Sequence, residues 1–97
     1  MSDSGGETAL LRTVNICNRR GLHARAAAKF VTLAERFSAA VDVSRDGQTV
    51  SARSIMGLMM LGAGNGSQIE LRAEGWDGKE ALDALAALIE AGFNEQE

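Results

Sequence analysis

The chain has 97 residues and is 45% hydrophobic, which suits one domain with a modest core and argues against a deep enzyme cavity. Its net charge of −3, with one Trp, three Phe and no Tyr, argues against nucleic-acid binding, which draws on a basic face and stacking rings. No apolar stretch approaches membrane-spanning length, so no membrane role is expected. Met1 to Glu7 (MSDSGGE) is polar and acidic, unlike a secretory signal, and is expected to be a flexible tail. Residues 8–97 are then expected to form a single domain, monomeric and cytoplasmic.

The one cysteine, Cys17, rules out an internal disulfide. One Cys and one His do not make a nitrogen and sulfur zinc site, so no metal is expected. Cys17 follows a strand-like run and is expected to be a small buried side chain. Charge is unevenly spread. Arg19 to Arg36 holds five bases against one acid, whereas Glu70 to Glu97 holds eight acids against two bases. One region therefore attracts anions while the remainder keeps the chain soluble.

In chain order, Ala9 to Ile16 alternates through Val14 and Ile16 and predicts a strand. Asn18 to Gly21 (NRRG) breaks it. From His23, the apolar residues Ala27, Phe30, Val31, Ala34 and Phe37 follow helical spacing. Two short strands, Ala40–Arg45 and Gln48–Arg53, flank Asp46-Gly47, a dipeptide suited to a tight hairpin turn. Ser54 is a favoured N-cap for the helix IMGLMML, and Gly62 to Gly66 (GAGNG) ends it. That glycine run neither follows a strand nor opens a helix, so it predicts a turn rather than a phosphate loop. Ser67 to Glu74 alternates cleanly, with Ile69, Leu71 and Ala73 on one face, as an antiparallel strand with one wet face does. A last helix buries Ala81, Leu82, Leu85, Leu88 and Ile89, with Asp77 as cap and Gly92 as stop. The order β-α-β-β-α-β-α predicts an α+β fold, an antiparallel sheet covered on one face by helices.

The chemistry-bearing stretch is Gly21-Leu22-His23-Ala24-Arg25. His23 stands at the expected helix start, where the first N–H groups lack carbonyl partners and carry positive dipole character. An anion such as phosphate is welcome there. Arg25 adds a permanent charge and several donors for phosphate oxygens. A reversible phosphoryl carrier needs little more, because phosphoryl transfer is mainly positioning and charge neutralisation. By chemistry alone, a surface or core histidine at this position remains an equal alternative.

GLHARAAAKF, followed by SARSIMGLMML, resembles the histidine phosphocarrier family of the phosphoenolpyruvate-dependent phosphotransferase system, HPr and its nitrogen-branch relative NPr. The similarity runs from about Leu11 to Phe93. It implies an open-faced β-sandwich with four antiparallel strands and three helices on one face. It also implies phosphoryl transfer from enzyme I, through Nδ1 of His23, to an enzyme IIA, with no cofactor. The protein would then be a carrier with a phosphohistidine intermediate rather than a stand-alone enzyme. His23 matches the phosphorylated residue and Arg25 the phosphate-contacting arginine, with the backbone of Ala24, Arg25 and Ala26 on the phosphate. The family proline after the arginine is Ala26 here, which should preserve the helix and add one unpaired N–H.

Ser54 lies where some family members carry a serine phosphorylated by a dedicated kinase, and a plain helix cap explains it equally. Arg20, Lys29, Ile55, Met56 and Met59 are the expected partner interface, flexible methionines suiting a surface that meets several partners in turn. Leu58 and Leu61 are expected to point inward. SIMGLMMLGAGNGSQIEL and the terminal GFNE look closer to the nitrogen-type carrier than to the sugar-type one. An alternative within the same fold is a regulatory module that binds partners under control of Ser54, with little flux to transport.

Overall fold

The computed structural model describes residues 9–95. The expected tail over residues 1–7 lies outside them. The seven expected elements occur in the expected order: β1 (Leu10–Asn15), α1 (Ala24–Ala34), β2 (Ala40–Arg45), β3 (Gln48–Ser51), α2 (Ile55–Met60), β4 (Gln68–Glu74) and α3 (Gly78–Glu90). A 3-10 turn, Gly92–Asn94, follows α3 and had no counterpart in the sequence analysis.

The four strands form one sheet in the order β1-β4-β2-β3, and every pairing is antiparallel. β4 is central because both of its edges are paired. Its alternation is strict: Ile69, Leu71 and Ala73 are buried, and Gln68, Glu70, Arg72 and Glu74 are exposed. The register sets Val14 opposite Ile69, and Val43 opposite Leu71, so the dry side chains of three strands converge. The helices cover that face, with Phe30, Leu58, Leu85 and Ile89 fully buried in one continuous core. Burying a leucine or phenylalanine side chain is worth about 1.5–3 kcal/mol. The opposite face of the sheet is open and polar. Among the described residues, no helix is long and apolar enough to cross a membrane.

Asp46 and Gly47 turn the β2–β3 hairpin with φ of 50° and 84°, the positive values a two-residue loop requires. α1 buries Ala26, Ala27, Phe30, Val31 and Ala34 along one stripe. In α2 the short helix turns Leu58 inward, and Leu61 behind it is also buried.

Two expectations need correction. Cys17 is exposed, not buried. The alternation that turns Val14 and Ile16 inward carries Cys17 outward, where its thiol donates to the Ile89 carbonyl at 3.3 Å. Asp77 does precede α3, but its side chain caps no helical N–H. Its buried carboxylate instead accepts from the N–H groups of Ser38 and Ala39, each at 2.8 Å. Asp77 thereby stitches the α1–β2 connection to the start of α3. Asp77→Ala should therefore destabilise the fold by about 2–4 kcal/mol, because two amides lose a charged acceptor. Urea denaturation measures this, and a loss below about 1 kcal/mol would mean that water replaces the carboxylate.

Candidate functional site

The chain leaves β1 into a tight loop. Ile16 donates to the Ser67 carbonyl at 2.8 Å, and Gly21 to that of Asn18 at 3.2 Å. Gly21 has φ +68°, and a Cβ there would meet the Ala63 carbonyl oxygen at 2.5 Å. Only glycine fits, both for its conformation and for the close approach of the loop that follows α2. Leu22 closes the junction by donating to that same carbonyl at 2.9 Å. The two loops together fix the entry of α1.

His23 occupies the N-cap of α1 with extended backbone, φ −78° and ψ 179°, and its side chain makes no capping bond. The first helical bond runs from Ala27 N–H to the His23 carbonyl at 2.8 Å. The N–H groups of Ala24, Arg25 and Ala26 lie ahead of it, without carbonyl partners in the helix. Arg25 is exposed in the same turn, and no hydrogen bond or ion pair holds its guanidinium among the described residues. The side chain of Ala26 is fully buried, so the helix continues into the core from its first turn.

The His23 side chain is only 14% exposed, and Glu95, just beyond the turn that follows α3, lies against it. Its Nε2 is hydrogen-bonded to Oε2 of Glu95. The other Glu95 oxygen accepts from Nδ2 of Asn18 at 3.0 Å, and that same amide donates to the Gly21 carbonyl at 2.8 Å. The Asn18 donation, joined by the contact with His23, holds the Glu95 carboxyl below the usual carboxylate range, against a desolvation that acts the other way. Lys29 Nζ donates to the Phe93 carbonyl at 2.6 Å and fastens the turn that delivers Glu95.

The comparisons with known proteins bear on this constellation. A family model described as the PTS HPr component phosphorylation site matches residues 10–91. The chain belongs to the PTS HPr family. It is 52% identical over 88 residues to the phosphocarrier protein HPr of Cupriavidus necator, covering 91% of this chain and 99% of the relative. It is 47% identical to the phosphocarrier protein NPr of Shewanella violacea, covering 91% and 97%. The crystal structure of an HPr from Thermoanaerobacter tengcongensis superposes with a TM-score of 0.86 at 46% identity, covering 91% of this chain and 99% of that one. The relatives thus carry both branch names.

On this HPr fold the remaining candidates are placed as follows. Ile55, Met56, Met59 and Met60 are exposed on α2, Met56 and Met60 by 70% each, and form an apolar patch. Arg20 is exposed in the loop before His23. Lys29 is half-buried and engaged with Phe93, so it serves the site's own architecture. Ser54 caps α2 by accepting from Gly57 N–H at 2.9 Å. Asn18 and Glu95 were missed in the sequence. Asn18 carried a signal, a polar residue just before a glycine turn. Glu95 carried none, since it reaches His23 across 72 residues.

The lowered Glu95 carboxyl gives a direct test. Because Asn18 is the largest cause, Asn18→Ala should move the Glu95 titration upward, towards the ordinary carboxylate range. Stabilisation from this carboxylate is present above its unfolded-state value and is lost as pH falls through the folded one. Carbon-detected NMR of the Glu95 carboxyl reads the shift, and an unmoved midpoint would remove Asn18 as the cause.

Proposed function

We propose that His23 is the phosphoryl-bearing residue of this phosphocarrier of the phosphotransferase system, with Arg25 as its phosphate partner. The supporting observation is the position of His23 at the N-cap of α1. Three N–H groups lie ahead of the first helical bond there, and the exposed Arg25 stands in the same turn. A nitrogen lone pair of the ring forms the new N–P bond. The N–P bond of a phosphohistidine donor, enzyme I charged by phosphoenolpyruvate, breaks, and its electrons return to the donor ring. The phosphoryl oxygens then face the N–H groups of Ala24, Arg25 and Ala26 and the Arg25 guanidinium. The reverse step, at an enzyme IIA, regenerates His23. Neither step calls for a metal or a cofactor.

Partners would dock on the apolar α2 patch of Ile55, Met56 and Met59, with the exposed Arg20 of the loop before His23 as a charged contact. Methionine side chains repack easily, which suits one small surface serving a donor and an acceptor in turn. Ser54, at the base of that patch, is the candidate for regulatory phosphorylation by a serine kinase and removal by a phosphorylase.

His23→Ala should accept no phosphate from enzyme I and phosphoenolpyruvate while unfolding as cooperatively as the wild type. An intact-mass gain of one phosphate on the variant would remove His23 from the reaction. Arg25→Ala should retain the site but transfer about a hundredfold to a thousandfold more slowly, the scale of losing one charge-stabilising donor, and an unchanged rate would leave Arg25 a surface residue only.

Ser54→Asp should raise the concentration of enzyme I needed for half-maximal phosphorylation of His23. A charge beside Ile55 and Met56 must be desolvated on docking or held away from it. Stability should hardly change, since Asp is itself a good N-cap. Steady-state phosphorylation kinetics would show this, and wild-type kinetics would leave Ser54 as a cap alone.

A further inference from the structure

Resting on the phosphocarrier reading of His23, we propose that Glu95 is a positioning residue for the transfer itself. It holds a proton on Nε2 throughout, so that Nδ1 attacks as a neutral imidazole and later departs as one. The carboxylate acts from the far side of the ring, opposite the reacting nitrogen.

The argument begins with donors and acceptors. An ionised carboxylate only accepts, so its contact with Nε2 requires the hydrogen to be there. Only the neutral ring can act as the nucleophile, and with its one N–H on Nε2 the lone pair lies on Nδ1. When Nδ1 bonds to phosphorus and the donor's N–P bond breaks, the ring becomes a phosphoimidazolium whose positive charge is shared with Nε2–H. Glu95 stands against that charge. On the return step the N–P electrons flow back to Nδ1 while the proton stays on Nε2. The leaving group is then neutral imidazole rather than an imidazolide anion. A carboxylate that orients an imidazole and steadies its cationic form is the logic of the serine-protease triad, used here for phosphorus.

The local structure is built to deliver this group. Gly92, Phe93 and Asn94 run through the left-handed region with φ of 63°, 56° and 59°. Asparagine tolerates that region, but a bulky phenylalanine there is costly, and such costs persist only where surrounding contacts over-determine the conformation. Those contacts are present: Phe93 is fully buried, and Lys29 holds its carbonyl. Asn18 is buried, with its amide nitrogen bonded to Gly21 and Glu95 and its Oδ1 left without a partner among the described residues. An orphaned buried acceptor is a stability cost, incurred here at the contact that aims Glu95. The stretch matched by the family model ends at residue 91, before this turn begins.

The test uses the full chain as wild type, Glu95→Gln and Glu95→Ala, in single-turnover transfer from phosphorylated enzyme I. Both variants should slow the transfer step at saturating donor by about tenfold or more, with the half-saturating donor concentration within about twofold of wild type. Nitrogen-15 NMR should place the hydrogen of wild-type His23 on Nε2, and its slowly exchanging downfield proton should vanish in Glu95→Ala. Wild-type transfer rates in Glu95→Gln overturn the proposal, because that variant keeps the shape and loses only the charge. A hydrogen found on Nδ1 of wild-type His23, or a change confined to the half-saturating concentration, overturns it equally. If the wild-type chain takes no phosphate on His23, the carrier reading falls and this proposal with it.

Discussion

Everything in this fold depends on the two-sidedness of β4. Because Ile69, Leu71 and Ala73 face one way and four polar residues the other, only one side of the sheet can be dry. Three helices must then share that side, and each connection must return across an end of the sheet. The loop between β1 and α1 meets the loop between α2 and β4 at such an end, where Gly21 lies against Ala63. The histidine at the head of α1 is held at that meeting point. The site is thus a by-product of how a one-faced sheet is covered.

Much of this was legible in the sequence because it rests on local periodicity. The alternation at Val14 and Ile16, the strict pattern of β4, the Asp46-Gly47 turn and the helical stripe from Ala27 to Ala34 all declare themselves within a few residues. His23 and Arg25 were legible for the same reason, sitting two residues apart at a recognisable helix start. The misjudged residues are those whose partners lie far along the chain. Asp77 has the chemistry of a cap, yet its carboxylate serves Ser38 and Ala39, 39 and 38 residues away. Glu95 depends on a left-handed run through Phe93 and Asn94, and the propensity of Phe93 does not announce it. Local pattern shows the frame; distant hydrogen bonds finish the site.

The replacement of the family proline by Ala26 fits this division. Its side chain is fully buried against the core, and alanine extends α1 without strain. The methyl group keeps the first turn packed, and alanine has the backbone N–H that proline lacks. Charge is uneven along the same part of the chain. Five basic residues lie between Arg19 and Arg36 within a chain that is acidic overall, so that stretch favours anions.

The central position of β4 also has a consequence for biosynthesis. β1 is made first, but its sheet partner is the last strand of the four, and β2 awaits the same strand on its other edge. While the chain is still emerging from the ribosome, only the β2–β3 hairpin and the first helix have their local contacts available. The sheet cannot zip until roughly three-quarters of the polypeptide has been translated, and long-range pairings of this kind are the slow ones to close. Until then the apolar edge of β1 and the methionine-rich α2 stand uncovered together, a transient stickiness that a fast final collapse must outrun.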